Sequence, residues 1–433
     1  MHDLIEQMGK NIVFLECPEN PRKRSRLWSL DDVNNVLVKN KGTEAIQAIV
    51  LDLPPQYERI ERIALDLPQG YEARLHPDAF SKTSQLKFLK LYKMQISHDL
   101  NCLPSALRVL DWIQCPLKSL PLTIKLDELV DLKLCHSKLK QLWKGEKFLG
   151  SLKFMDASFS KNLIRLPDIS GVPNLERLVL EGCGSLSEVH PSLGLHKKLV
   201  VVDFKDCINL RSLPAKMKMS SLEILILSGC SKIRKLPEFR GCMEHLSMLY
   251  IEKTSISELP LSIGCLVGLA VLNLENCKNL VCLPITVDNL KSLKTLNISG
   301  CSKISTLPEN LRECKCLEEL DVSETGIEEA PSYIFDLENL KVLSLGGCQG
   351  LLSKSWNWCL PFGCILGSHP VPQGLRLPHS WSTLSSLRRL NLSYCNLSEG
   401  SIPSDIDCLS SLESLNLSGN IYHLSLLTRP TRM

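Results

Sequence analysis

Leucines recur along this chain in a six-residue frame, L-x-x-L-x-L, that returns at nearly constant intervals. The frame starts at Leu86 (LKFLKL), Leu107 (LRVLDW), Leu129 (LVDLKL), Leu152 (LKFMDA), Leu175 (LERLVL), Leu199 (LVVVDF) and Leu222 (LEILIL). It continues at Leu246 (LSMLYI), Leu269 (LAVLNL), Leu293 (LKTLNI), Leu317 (LEELDV), Leu340 (LKVLSL), Leu387 (LRRLNL) and Leu412 (LESLNL). Successive starts lie 21 to 25 residues apart, except for one doubled spacing of 47 between Leu340 and Leu387. Alternation inside each frame is that of a short strand with one buried side, and a period of this length belongs to stacked coils, none of which can bury its apolar face alone. The pattern predicts one strand per coil in a parallel sheet rather than several globules.

The ninth position of each unit is short and polar or a thiol: Cys115, Ser137, Ser160, Cys183, Cys207, Cys230, Thr254, Cys277, Cys301, Thr325, Cys348, Cys395 and Asn420. Only Met94, in the first unit, departs. A leucine-rich repeat has this residue where the chain leaves its strand and a neighbouring coil's backbone needs a partner. Leu-Pro pairs follow, as at Leu166-Pro167, Leu213-Pro214, Leu259-Pro260, Leu283-Pro284 and Leu307-Pro308. Proline fixes φ and removes a donor, so the return segments are expected to be extended or 3₁₀. The fold class is an α/β leucine-rich-repeat solenoid, with a curved parallel β-sheet on its concave face and short 3₁₀ or irregular convex segments. Residues 86–433 hold about fourteen to fifteen repeats. Near 349–380 an irregular insertion with Trp356, Trp358 and Phe362 reads either as a degenerate repeat carrying a loop or as a partner-binding protrusion.

Composition changes the picture in two places. A net charge of +3 over 433 residues gives no basic footprint for nucleic acid or for an anionic membrane surface. Nineteen cysteines would suit a disulfide framework in a secreted protein, but the number is odd and no secretory signal opens the chain. The cysteines are therefore expected to be free thiols in a reducing, cytoplasmic setting. No apolar run approaches the roughly 20 residues needed to span a bilayer. The isolated chain is expected to be monomeric.

The first 40 residues do not follow the repeat. Leu4, Ile5, Met8, Ile12 and Val13 recur at helical spacing, so Met1 to about Val13 is expected to be an amphipathic helix, and Asp31-Asp32-Val33 opens a second short one. Between them the basic run Pro21–Arg26 reads as a solvated loop or an intramolecular contact; a nuclear-localisation signal is the alternative.

Met1-His2-Asp3-Leu4, Gly9, Ser25-Arg26-Leu27-Trp28, the stretch Gly42 to Ile49 and Ala79-Phe80-Ser81-Lys82 together resemble plant intracellular immune receptors of the TIR-type nucleotide-binding, leucine-rich-repeat class. The resemblance implies that residues 1–40 are the winged-helix remnant of the nucleotide-binding region and that 41–85 form a linker and N-terminal cap. It implies that His2 is a sensor of the phosphates of bound ADP, with Asp3 as its switch partner, in a family that holds ADP or ATP. No G-x-x-x-x-G-K-[ST] loop occurs here, so the pair is expected to be non-functional alone and this chain to hold no cofactor. The TIR domain, whose family reaction is NAD hydrolysis, is also missing from these residues, and no H-E-x-x-H or G-x-S-x-G motif appears. No enzymatic activity is expected. Asn297, Asn391, Asn396 and Asn416 match the glycosylation pattern, but three of them fall in strands and the match reads as incidental.

Alternation sends the third and fifth residues of each unit to the concave face. Stacking them brings Val201, Ile224, Ile226, Met248, Tyr250 and Val271 into an apolar patch, beside an acidic one that includes Glu319 and Asp321. An exposed apolar patch rimmed by charge marks a protein-binding surface. Pathogen effectors and the receptor's own nucleotide-binding and TIR modules are the expected partners, and control of defence signalling the expected function. A stand-alone truncated scaffold or decoy is the alternative.

Overall fold

The computed structural model describes residues 2–51, 74–96, 102–121, 123–241, 243–348, 374–378 and 383–420, with Leu100 and Trp381. They form two compact units, residues 1–210 and 211–433.

The first unit opens with helix α1, His2–Glu16, longer than its apolar spacing predicts. Leu4, Ile5, Met8, Ile12 and Leu15 remain exposed, and Val13 is buried. Helix α2, Leu30–Leu37, is capped by Ser29, whose hydroxyl accepts the Asp32 N–H at 3.2 Å, and it buries Val33, Val36 and Leu37. The basic run between the helices includes an internal anchor. Arg24 is buried, donates to Asp32 at 3.1 Å and to the carbonyls of Cys17 and Pro18, and lies over the Phe14 ring at 4.7 Å. A guanidinium suits this place because its fork of donors satisfies several acceptors at once.

The parallel ladder of this unit runs β1 (Arg26–Leu27), β2 (Ala48–Val50), β3 (Phe88–Tyr92), β4 (Val109–Ile113), β5 (Asp131–Lys133), β6 (Phe154–Asp156), β7 (Arg177–Val179) and β8 (Val201–Asp203). It therefore begins before Leu86. Ile46, Ile49 and Leu51 occupy the buried positions of an early coil, with isoleucine standing in for two of the leucines. The second unit carries β9 (Ile224–Ile226), β10 (Met248–Tyr250), β11 (Val271–Asn273), β12 (Thr295–Asn297), β13 (Glu319–Asp321), β14 (Val342–Ser344), β15 (Arg389–Asn391) and β16 (Ser414–Asn416), again all parallel in sequence order.

Each coil repeats one set of contacts. The first, fourth and sixth residues of the frame point inward, as with Leu293, Leu296 and Ile298, all without exposure. The eighth residue turns the chain with a left-handed backbone, whether it is Gly300 (φ 71°), Lys253 (φ 58°) or Phe159 (φ 58°). The ninth then reaches back to a carbonyl of the preceding coil. Cys183 Sγ donates to Ala157 O at 3.2 Å, Cys301 to Leu274 O at 3.2 Å and Cys395 to Leu345 O at 3.1 Å. Ser160 makes the same reach to Leu134 O, and Asn420 to Leu392 O. Return segments are 3₁₀ at Leu261–Cys265, Ile285–Asn289, Glu309–Glu313, Ser332–Asp336 and Ser404–Cys408, each directly after a proline. After Leu166-Pro167 and Leu213-Pro214 they are extended.

Within the doubled spacing, residues 349–373 lie outside the described residues, and Trp356, Trp358 and Phe362 with them. Leu375 and Trp381, beyond them, pack within the second unit. Leu375 N–H donates to Cys395 O at 2.9 Å, and Trp381 is fully buried edge-on to Phe335 at 4.9 Å.

Burial pushes the thiols of Cys115, Cys183, Cys301 and Cys395 up to about 12. A thiol at that value has almost no thiolate at neutral pH and does not react. A chromogenic thiol reagent is therefore expected to label the exposed Cys265, Cys282, Cys316 and Cys408 at once and the ninth-position thiols only after denaturant is added. Mass-mapped labelling of Cys301 in the native chain would contradict this.

His196 is buried between two coils, with Nε2 donating to Val172 O at 2.8 Å and Nδ1 accepting the Leu199 N–H at 3.2 Å. Burial holds its pKa below the ordinary value of about 6.5, so the ring is neutral in the fold. The stability it lends is whole above that value and is lost as the pH falls through the lower folded-state pKa, because the unfolded chain takes up the proton more readily. His196→Gln is expected to flatten the decline in unfolding temperature between about pH 7 and pH 5. An unaltered profile in a thermal melt series would show that other groups set it.

Candidate functional site

The face of the second unit opposite the buried leucines is the open face of its sheet, and the ladder register decides which residues meet on it. Ile224 pairs with Met248 and Met248 with Val271; Ile226 pairs with Tyr250 and Tyr250 with Asn273. Five of the six apolar residues predicted to converge therefore lie on three hydrogen-bonded strands, each half-exposed while Leu225, Leu249 and Leu272 beneath them are buried. The Tyr250 hydroxyl rests 3.7 Å from Met248 Sδ, so the two longest side chains of the patch touch. Val201 belongs to the first unit, half-exposed on β8 beside Arg177 of β7.

The polar neighbours are more constrained than alternation alone implies. Asp321 Oδ1 accepts the Ser323 N–H at 2.9 Å, closing a turn at the strand exit. Asn273, Asn297, Asn391 and Asn416 do the same with the N–H two residues on. Short amide and carboxylate side chains favour such turns. The asparagines of the glycosylation pattern in the strands are thus turn formers. Glu319 is exposed and stands 4.0 Å from Arg389, a loose pair. The Lys341 ammonium, 2.5 Å from Glu318, holds that carboxyl below the usual range.

A third row escapes the spacing argument. Residues seven places into each frame, beyond the strand ends, continue its alternation: Ser228, Glu252 and Glu275. Glu252 Oε1 accepts from Asn273 Nδ2 at 2.6 Å, while Oε2 accepts the Ser228 hydroxyl. Only the same-side parity of the seventh position signals this row in the sequence. In the first unit Phe88 and Phe154 are exposed on the corresponding face, but β4 and β5 separate them and no continuous patch forms.

His2 and Asp3 fall in the first turn of α1, and their side chains lie outside the described residues. Cys314 is buried, with its thiol on Val287 O at 3.3 Å, whereas Cys316, two residues on, is exposed. No helix among the described residues is long and apolar enough to cross a membrane.

Residues 218–307 match the family model of leucine-rich repeats of the RPS4B-like disease resistance proteins, and residues 128–147 and 386–409 match general leucine-rich-repeat models. TMV resistance protein N of Nicotiana glutinosa is 36% identical over 97% of this chain. The chain is a leucine-rich-repeat solenoid related to plant disease-resistance proteins. A disease resistance-like protein of Arabidopsis thaliana, DSC1, is 35% identical, also over 97% of the solenoid chain. The solenoid spans 33% of the length of each of these relatives. Among solved structures, a leucine-rich-repeat protein of Leptospira interrogans superposes with a TM-score of 0.50 at 20% identity, covering 94% of this chain and 93% of its own. Drosophila Toll in its complex with Spätzle gives 0.50 at 16% identity, over 87% of this chain and 47% of that one. These two likenesses establish the solenoid fold.

Proposed function

We propose that this chain is the sensing region of a plant intracellular immune receptor and that the open face of its second unit binds a protein partner. One observation carries the reading: Ile224, Ile226, Met248, Tyr250 and Val271 form a continuous half-exposed apolar surface on three paired strands. Tyrosine and methionine are anchor residues of protein interfaces, the first for its amphipathic bulk and the second for its adaptability. A repeat sheet is a stiff platform for such anchors, because the leucines beneath fix the backbone. In the receptor the contact would bias the balance between resting and signalling states by its different affinity for the two.

Met248→Ala/Tyr250→Ala in the receptor that carries this region is the test. Loss of about 2 kcal/mol or more at such anchors corresponds to at least about thirtyfold in affinity. Cell death on pathogen challenge is expected to fall if the face receives an effector, and to appear without challenge if the face holds the receptor's own switch at rest. Unchanged cell death in both conditions would refute the reading.

A further inference from the structure

Several carboxylates along the edges of the repeat ladder are answered by a cation from an adjacent coil. Lys153 meets Glu176 at 2.8 Å, Lys205 meets Glu181 at 2.9 Å, Lys341 meets Glu318 at 2.5 Å and Arg388 meets Glu413 at 3.0 Å. The acidic groups beside the apolar patch are treated differently. Glu252 is held by two neutral donors, Asn273 Nδ2 and the Ser228 hydroxyl, and Glu275 by Asn276 Nδ2 at 3.0 Å. Asp321 uses one oxygen on a backbone N–H, and Glu319 has the loose Arg389 contact. Of the lysines on the same stretch, Lys294 bears on Glu318 and Lys303 donates to Asn279 at 3.1 Å. Carboxylates fixed in place by neutral hydrogen bonds are suited to receive a cation from outside.

The placement of the two features is also informative. Apolar side chains fill β9, β10 and β11, Glu252 and Glu275 follow the ends of β10 and β11, and β13 presents Glu319 and Asp321. From β10 to β13 is three strand spacings, about 15 Å, which about four or five extended residues span. Resting on the reading of this face as a protein-binding surface, we propose that its partner presents a cationic amphipathic segment, with apolar side chains seated on Ile224, Met248, Tyr250 and Val271 and Lys or Arg side chains on Glu252, Glu275 and Glu319. Acidic segments are disfavoured by the same charges.

A random peptide library displayed on phage and selected against the full 433-residue chain tests this, followed by fluorescence anisotropy with one selected synthetic peptide. Enriched sequences are expected to carry Lys or Arg beside Leu, Ile or Phe, and to bind more weakly as salt rises. Affinity is expected to fall about tenfold in Glu252→Gln/Glu275→Gln and in Met248→Ala/Tyr250→Ala, and to hold in Leu261→Ser/Ile285→Ser, which alters exposed residues of the 3₁₀ helices. Glu319→Gln, at an exposed site, provides a second charge variant should the paired one fail to fold. No enrichment, enrichment of acidic or uncharged sequences, or equal affinity in the folded Gln variants would overturn the inference. The two readings separate in the receptor. A receptor whose cell-death response survives Glu252→Gln/Glu275→Gln but not Met248→Ala/Tyr250→Ala keeps the binding face and loses the cationic partner. Charge-dependent peptide binding with no effect of either pair on cell death removes the receptor role alone.

Discussion

Gly268→Val is expected to destabilise the second unit by about 3 kcal/mol or to prevent its folding. A Cβ at this position would lie 1.8 Å from the carbonyl oxygen of Glu244 and 3.0 Å from its carbon, and both belong to the backbone of the neighbouring coil. No rotamer change can relieve an overlap with backbone, so the coils must move apart at this contact. Gly268→Ala meets the same obstacle in smaller form. Gly9, by contrast, has open space around its missing Cβ and sits within α1, so Gly9→Ala is expected to add up to about 1 kcal/mol of helix stability. Urea unfolding followed by circular dichroism separates the two. Wild-type stability in Gly268→Ala would show that the coils are not in contact there.

Leu296→Ala has the second large effect. Leu296 is fully buried at the centre of β12, paired on one side with Leu272 and on the other with Leu320. Truncation leaves a cavity and costs about 2 to 5 kcal/mol. In a stack where each coil touches only its neighbours, that loss has a location. Hydrogen exchange is expected to quicken first in β11, β12 and β13 and to fade with distance along the second unit. Uniform acceleration across that unit would mean that it opens as a whole.

Much of this fold is written in the leucines because burial leaves those positions no freedom. The frame at Leu293 predicts Leu296 and Ile298 inward, and they are without exposure. The ninth-position thiols are equally legible as small residues at the strand exit, although their donation to a carbonyl of the preceding coil needs the coordinates. Other features are silent for physical reasons. The left-handed eighth position is announced by Gly182, Gly229, Gly300, Gly347 and Gly419, but Phe159, Lys253 and Tyr394 adopt the same backbone and hide it. The early coil at Ile46, Ile49 and Leu51 is missed by a search for leucine alone, because β-branched residues fill a buried strand position equally well.

At the candidate site the apolar residues of β9 to β11 follow from alternation, since paired strands put like positions side by side. The roles of the polar residues do not. Asp321 is equally a surface charge and a turn former by its letter, and the Ser323 N–H decides that it also closes the turn. Glu252 depends on Asn273 and Ser228, its partners from the coils on either side, and no local sequence window contains all three.

The reach of each ninth residue back to the coil before it has an evolutionary consequence. A cut made at Cys277 and rejoined at Cys301 removes one coil yet leaves a thiol to meet the carbonyl that its predecessor met, Ile251 O in place of Leu274 O. A gene for such a chain can therefore gain or lose whole units by unequal recombination and still encode a continuous stack. Rejoined one residue earlier, at Gly300, the chain would have no side chain where the thiol belongs. Recognition surfaces can thus be lengthened, shortened and reshuffled in units of one strand, and the rung at each strand exit sets the permitted joints.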